Sequence, residues 1–189
     1  MILKVFAARC TRGSRHETAR KLLLDNYWKI FGRQMPEIFT SDTGKPYFAD
    51  DSAFFSFSYT ENLCICAIAD NPVGVDAEAI RSVGENLQKG VLSRNERQFL
   101  TASCDRNETF MRYWTLKEAY CKFTGKGIAG TSLRETEFDI AGNSPVLLGQ
   151  ENLHFDCRVF DMAGVHVVIS VCTDSPCCPE FLFEGDELC

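Results

Sequence analysis

Long apolar runs are missing from this sequence. No window approaches the roughly 18 consecutive apolar residues that a membrane-spanning helix needs. The first residues contain only a short apolar stretch, and Arg9, Arg12 and Arg15 follow it, whereas a secretory signal places its positive charge first. The sequence therefore predicts a cytoplasmic protein that does not enter a membrane.

Zinc-finger cysteine spacing and an excess of basic residues are also missing. The chain has 10 cysteines, but no two of them form a Cys-x-x-Cys pair, so a zinc finger is not expected. Free thiols are the expected state, because no secretory signal is evident. The formal net charge of −6 argues against a general nucleic-acid binder. It leaves room for a local basic pocket that binds a phosphorylated small molecule.

Strand-like and helical segments that share the chain predict the α+β class. Of the 189 residues, 45% are hydrophobic, which is enough for a substantial core. A faint repeat, in which Thr43–Lys45 recurs as Thr124–Lys126, suggests two similar α+β halves. We place the halves at residues 1–90 and 91–189, with an irregular acidic tail over about 175–189 that is expected to be poorly ordered. A ligand site is expected between the halves.

The segment Tyr113–Ile128 is the stretch around which the rest of the chain is organised. Its helical periodicity puts Leu116, Tyr120 and Phe123 on one apolar face. Glu118 and Lys122 are four residues apart and lie one turn from each other on a second face. The helix is expected to end just before Gly125. From the helix alone, the acid and the lysine are either a surface ion pair or part of a site.

Two acids lie close together on a short predicted strand, Val73–Glu78. Asp76 and Glu78 are two residues apart, so their side chains point to the same face of the strand. Like charges placed side by side repel each other and raise each other's proton affinity. The arrangement is favourable only if a cation lies between them. The alternative is an exposed strand edge that carries two solvated acids.

Basic residues cluster at the start of the first predicted helix, which spans about residues 11–32. The cluster is a solvated polar face or an anion site, and the sequence leaves both possibilities open. Its members are Arg12, Arg15, His16, Arg20 and Lys21.

Three stretches, in this order, resemble the 4′-phosphopantetheinyl transferases of the surfactin-synthetase type. They are Gly44–Pro46 followed by FSFSYT (Phe55–Thr60), GVDAE (Gly74–Glu78), and WTLKEAYCK (Trp114–Lys122) followed by GKG. Gly-x-Asp-x-Glu alone is common. Its combination with a later Trp-x-x-Lys-Glu-x-x-x-Lys is specific, and the resemblance covers about residues 15–130.

The resemblance implies an enzyme that moves the phosphopantetheine arm of coenzyme A onto a serine of an apo acyl or peptidyl carrier protein. The second product would be adenosine 3′,5′-bisphosphate. The implied fold is a pseudo-dimer of two α+β halves with the cofactor between them. Coenzyme A and the carrier protein are then the expected partners, without nucleic acid or membrane, and a monomer is expected because both halves lie in one chain.

The resemblance also implies roles for individual residues. Three carboxylates would bind Mg²⁺ or Mn²⁺, and hard oxygen ligands suit such a cation. Glu118 would act as the base for the carrier serine, and Lys122 would protonate the leaving phosphate. The implied metal ligands are Asp76, Glu78 and Glu118, and the implied coenzyme A contacts are Arg20, Lys45, Ser58, Tyr59, Lys117 and Lys122.

Two departures from the family pattern bear on these roles. The family usually has His where this chain has Tyr59, and tyrosine can donate to the 3′-phosphate only as a neutral phenol. The amino-terminal region is also shorter than in fuller members. Two other functions remain as alternatives: a metal-dependent phosphohydrolase that uses the same acids, and a non-catalytic binder of coenzyme A or carrier proteins.

Overall fold

The computed structural model describes residues 1–162, 164–176 and 178–183. The strands are β1 (Leu3–Arg9), β2 (Ile38–Thr40), β3 (Pro46–Phe48), β4 (Phe54–Tyr59), β5 (Leu63–Ala69), β6 (Val73–Ala79), β7 (Phe138–Asp139), β8 (Val146–Leu147), β9 (His154–Met162), β10 (Val165–Thr173) and β11 (Glu180–Phe183). The helices are α1 (Arg15–Phe31), α2 (Glu85–Val91), α3 (Arg94–Ala102) and α4 (Arg106–Thr124), and Ile128–Gly130 forms a 3₁₀ turn. Within these ranges, no helix carries an apolar stretch that could cross a bilayer.

The two main sheets repeat one topology, which confirms the α+β class. In the first, β1 is followed by α1, the small β2–β3 ladder and the β4–β5 hairpin, and the antiparallel order is β1–β5–β4. In the second, β6 leads through α2 and α3 to α4, the small β7–β8 ladder and the β9–β10 hairpin, with the antiparallel order β6–β10–β9. Each main sheet is therefore part of a strand–helix–hairpin unit, although the two copies of the faint sequence repeat lie at different places in these units, between β2 and β3 and at the end of α4.

Apolar residues fill three layers between these elements. Side chains from β1 and β5 pack against side chains from β6 and β10, so the two sheets share one core. Helix α1 covers the other face of the first sheet, and α4 covers the other face of the second. The strands read as nearly continuous apolar runs because both of their faces are covered.

Strand β6 belongs to the second unit by its pairing. It is hydrogen-bonded to β10 along its whole length, from Val73 opposite Thr173 to Ala79 opposite Val167. By this pairing, Asp76 and Glu78 lie on the first strand of the second sheet. The division at residue 90 is not tested by this pairing. We propose that the two units divide at the turn between β5 and β6.

Part of the segment predicted as an irregular tail forms a strand. We expected an irregular tail from about residue 175, but Glu180–Phe183 forms β11, which pairs parallel to β1. Phe181 and Phe183 pack against Phe160, and Lys4 forms an ion pair with Glu180 at 2.7 Å. Three apolar residues in a row are enough to add an edge strand when a neighbouring strand is free to accept it. Cys177 and residues 184–189 lie outside the described residues.

Helix α4 has clear signals at both ends. The Asp105 side chain accepts a hydrogen bond from the Glu108 amide at 2.9 Å, which caps the first turn. Gly125 follows the last turn with a φ of 70°, as predicted. Ser93 and Glu96 form a capping box at the start of α3. The caps at Asp105 and Gly125 thus mark the two ends of α4.

Candidate active site

A cleft of about 700 Å³ lies where α1 and β2–β4 of the first unit face α4 of the second. Cationic side chains and one carboxylate line its polar part, and apolar side chains line the rest. The polar lining includes His16, Arg20, Lys45, Glu118 and Lys122, and the apolar lining includes Ile38, Phe55, Phe57 and Ile128. The cleft can therefore hold a ligand that has both anionic and apolar parts.

Asp76 stands at the junction of the two sheets. Its carboxylate is 5% exposed, and its Oδ1 accepts hydrogen bonds from Ser58 Oγ and from Lys122 Nζ, both at 2.7 Å. The Ser58 hydroxyl also accepts from the Ala77 amide at 3.1 Å, which ties β4 to β6. Among the described residues, the buried Oδ2 of Asp76 has no partner. One oxygen of this carboxylate is thus fully used, and the other is available.

Glu118 projects from the middle of α4 toward the same junction. Its side chain is nearly buried, and its Oε1 also lacks a partner among the described residues. Burial and the negative charge of Asp76 raise the pKa of Glu118 to about 7, although Lys122 partly offsets them. A carboxyl group with this pKa can accept and release a proton at neutral pH.

Glu78 is the third predicted metal ligand and is only half-buried. Burial and the charge of Asp76 raise its pKa, while Arg81, Lys122 and a hydrogen bond from Trp114 act in the opposite direction. The rise that the charge of Asp76 causes in the pKa of Glu78 is the effect expected of two acids on one face of a strand.

The carboxylates fit a divalent cation only in part. Within the ranges that the structure describes, no group of three or more His, Cys, Asp or Glu side chains is arranged to hold a metal ion. The predicted ligand set of Asp76, Glu78 and Glu118 is therefore not pre-assembled. However, the buried oxygens Asp76 Oδ2 and Glu118 Oε1 lack partners among the described residues, and Mg²⁺ commonly takes one or two carboxylates beside phosphate oxygens and water. Asp76 and Glu118 therefore fit the binding of a divalent cation. The role of Glu78 as a third metal ligand stays a prediction.

Two lysines reach the cleft from opposite units. Lys122 on α4 reaches across to the first unit, where its Nζ donates to Phe57 O at 3.1 Å, and it also donates to Asp76 Oδ1 on β6 at 2.7 Å. Lys45, at the start of β3, crosses in the other direction, and its Nζ donates to Phe123 O at 2.9 Å. Burial lowers the pKa of Lys45. The structure thus brings Lys45, Lys122 and Glu118 together on one cleft.

The outer part of the cleft is formed by α1 and Tyr59. Arg20 lines it, and His16 lies one turn earlier on the same face of the helix, while the contact of Arg20 with coenzyme A stays a prediction. Tyr59 contacts His16 edge-on, with 5.3 Å between ring centroids, and the Arg15 guanidinium lies 5.7 Å from the Tyr59 ring centre. Burial raises the pKa of Tyr59 to about 12, so its phenol is neutral at physiological pH. His16 and Arg20 are thus the two members of the predicted basic cluster that line the cleft.

Lys117 does not contact the cleft, which corrects its prediction as a phosphate ligand. Its side chain is fully buried, and its Nζ donates to Glu96 Oε2 at 2.6 Å and to the carbonyl oxygens of Val91 and Leu133. All three protons of the ammonium group are therefore used. One residue along a helix turns a side chain by about 100°, so Lys117 points into the second unit while Glu118 points into the cleft.

Ser58 is the second predicted contact that the structure places differently. It is 2% exposed, and its hydroxyl is engaged by Asp76 and by the Ala77 amide. Strand alternation turns Tyr59, rather than Ser58, toward the cleft. Ser58 therefore orients a carboxylate of the site and does not line the nucleotide end of the cleft.

Removing one partner of the buried Glu96–Lys117 pair should destabilise the protein strongly. Lys117→Met leaves a buried, uncompensated carboxylate, so we expect a loss of about 3–5 kcal/mol in the free energy of unfolding. The Glu96→Gln/Lys117→Met double variant should recover part of that loss. Urea denaturation measures both effects, with Lys126→Met as an exposed control. A Lys117→Met protein as stable as the control would show that the pair is not a structural anchor.

The fold and the cleft together define an α+β protein that can bind a phosphorylated ligand. The buried carboxylates of Asp76 and Glu118 lie on one side of the ligand site, and Lys45 and Lys122 supply positive charge. The model of the 4′-phosphopantetheinyl transferase superfamily matches residues 72–172. The chain belongs to the 4′-phosphopantetheinyl transferase superfamily, and the 4′-phosphopantetheinyl transferase Sfp is among its relatives.

Three curated relatives illustrate the similarity. The chain is 36% identical over 114 residues to the 4′-phosphopantetheinyl transferase HetI of Nostoc, a match that covers 56% of this chain and 47% of the relative. It is 32% identical over 90 residues to gsp of Aneurinibacillus migulanus, covering 47% and 38%. It is 31% identical over 93 residues to Sfp of Bacillus subtilis, covering 48% and 42%. In each case, the match spans about half of the relative's length or less.

Proposed function

We propose that this protein transfers the 4′-phosphopantetheine arm of coenzyme A to a serine of an apo acyl or peptidyl carrier protein. Adenosine 3′,5′-bisphosphate would be the second product, and a divalent cation, Mg²⁺ or Mn²⁺, would be required. The observation that carries the proposal is Glu118, a nearly buried acid with a pKa of about 7, which lines a cationic cleft beside Lys122. Membership of the superfamily supports the reaction class.

The chemistry is a displacement at the phosphorus atom that bears the pantetheine arm. The serine oxygen would form a bond to this phosphorus while the bond to the bridging oxygen breaks. Glu118 would take the serine proton, and Lys122 would donate a proton to the departing phosphate. A cation held by Asp76 and Glu118, with Glu78 as a further candidate, would neutralise charge on the pyrophosphate. Lys45, Arg20 and Tyr59 would hold the nucleotide end.

Docking of the carrier protein should depend more on apolar contact than on net charge. The chain's net charge of −6 would repel an acidic carrier at long range. Ile128 lines the cleft and is half-exposed, so it can take part in an apolar contact surface. We propose that the protein acts as a monomer in the cytoplasm, since both units of the cleft come from one chain.

A panel of apo carriers tests the proposal. Carriers of fatty-acid, polyketide and peptide synthesis are incubated with coenzyme A and Mg²⁺, and intact mass shows whether any of them gains one phosphopantetheine arm. The gain should disappear when EDTA is added. If coenzyme A is instead split in water, the protein is a phosphohydrolase. Binding without turnover would make it a non-catalytic binder.

Replacing Tyr59 with histidine should tighten the binding of coenzyme A. The neutral phenol would give way to an imidazole that can carry charge at mildly acidic pH, given an unperturbed pKa of about 6.5. The gain should grow as the pH falls from 8 to 6 and should be absent for dephospho-coenzyme A, which lacks the 3′-phosphate. Calorimetric titration with both ligands measures it. Equal gains for the two ligands would show that residue 59 does not contact the 3′-phosphate.

A further inference from the structure

The two oxygens of Asp76 have different surroundings. Oδ1 accepts from a hydroxyl and from an ammonium group, whereas the equally buried Oδ2 has no partner in the described part of the chain. Glu118 Oε1 is likewise buried and without a partner there. Lys122 is therefore the cation that neutralises Asp76 in this structure. Its ammonium group lies close to Asp76 Oδ2 and Glu118 Oε1, the two oxygens that suit a metal ion.

We propose that Lys122 is a built-in counter-ion that competes with the divalent cation for Asp76. This inference rests on the proposed function, because it concerns the cation and the phosphate ligand of the same cleft. A cation that binds at Asp76 and Glu118 meets the positive charge of the Lys122 ammonium 2.7 Å from Asp76 Oδ1. Lys122 therefore weakens the binding of the cation alone.

The surroundings of Lys122 allow it to move to a second position. Its side chain is 30% exposed and lines the cleft, and besides Asp76 it is held only by the Phe57 carbonyl oxygen among the described residues. A ligand phosphate in the cleft can draw the ammonium group away from Asp76. Ser58 stays hydrogen-bonded to Asp76 and keeps this carboxylate oriented. Phosphate ligand and cation therefore assist each other's binding, and the assistance is reciprocal.

Lys45 provides a matched control on the same cleft. It carries the same charge, but its Nζ donates to the Phe123 carbonyl oxygen and forms no ion pair with a described carboxylate. Removal of Lys45 changes the overall charge of the cleft as much as removal of Lys122 does. Only removal of Lys122 frees Asp76.

Binding of Mn²⁺ alone, without coenzyme A, tests the inference. Calorimetric titration compares the wild type with Lys122→Met, Lys45→Met and Asp76→Asn. We expect Lys122→Met to bind Mn²⁺ about tenfold more tightly than the wild type, which is equivalent to about 1.4 kcal/mol. Lys45→Met should remain close to the wild type, and Asp76→Asn should lose binding. If Lys122→Met does not fold, Lys122→Gln replaces it, because its amide can still donate to the Phe57 carbonyl oxygen.

Two results would overturn the inference. One is a Lys122 variant that binds Mn²⁺ no more tightly than the wild type, including the case in which neither binds. The other is an equal gain in Lys45→Met, which would assign the effect to the general charge of the cleft. Failure of the proposed function has a separate signature, because carrier modification by the wild type would then be absent or would continue in EDTA.

Discussion

Replacing Glu118 with glutamine should reduce the kcat/KM of carrier modification by at least about a thousandfold. A positioned general base contributes about 10²–10⁴ in rate, and the amide also removes a charged ligand from the proposed cation site. Glutamine has nearly the same shape, so the helix and the cleft should be preserved. The rate of mass gain by the apo carrier measures the effect, with Glu135→Gln as an exposed control on the same unit.

The same variant should be more stable than the wild type at alkaline pH when divalent cations are chelated. The pKa of Glu118 is raised in the folded protein from its ordinary value of 4.5 to about 7, so folding favours the protonated carboxyl. The wild type therefore loses stability as the pH rises through this interval, and glutamine does not. Thermal melting should show a higher Tm for Glu118→Gln at pH 8 and no difference at pH 4. A lower Tm at pH 8 would mean that the Glu118 carboxylate is stabilised in the fold.

The substitution Gly74→Ala should destabilise the fold strongly. Strand β6 passes so close to α4 that a Cβ at residue 74 would overlap the Ala119 carbonyl oxygen and the Phe123 amide nitrogen. Both obstacles are backbone atoms, which cannot rotate away, so the helix must move off the strand. We expect a loss of about 3 kcal/mol or more in the free energy of unfolding, at the upper end of the cost of overpacking.

Gly74→Ala should also reduce activity in the protein that remains folded. Glu118 and Lys122 lie on the same helix as the clashing atoms, and a misplacement of about 1 Å can cost about 100-fold in rate. The matched control is Gly90→Ala, where an added Cβ meets no atom within 4 Å. It should be neutral or slightly stabilising, because alanine favours the helix. Equal stability of the two variants by urea denaturation would contradict the close packing of β6 on α4.

The residues that meet at the site could be predicted from the sequence because local rules decide them. Strand alternation puts Asp76 and Glu78 on one face, and helical spacing brings Glu118 and Lys122 to the same side of α4. The end of α4 before Gly125 follows from cap chemistry. These rules predict the two pairs of side chains, whereas Arg20, Lys45 and Tyr59 could be predicted only from the family resemblance.

Long-range packing decided what the sequence did not reveal. Lys117 follows the same helical rule as its neighbours, but its partner Glu96 lies in another helix, so the buried pair could not be foreseen. Ser58 is engaged by Asp76 and by the Ala77 amide because β4 packs beside β6, a contact between strands that are distant in sequence. His16 reaches the cleft only because α1 packs on the first sheet, and β11 forms only because β1 has a free edge.

The ratio of modified carrier to released adenosine 3′,5′-bisphosphate tests the central claim most directly. One reaction with purified protein, Mg²⁺, coenzyme A and an apo carrier is followed by intact mass for the carrier and by chromatography for adenosine 3′,5′-bisphosphate. The proposed function predicts that each molecule of adenosine 3′,5′-bisphosphate released is matched by one carrier that has gained a phosphopantetheine arm. Release of that nucleotide with no gain of mass by any carrier in the panel would contradict it.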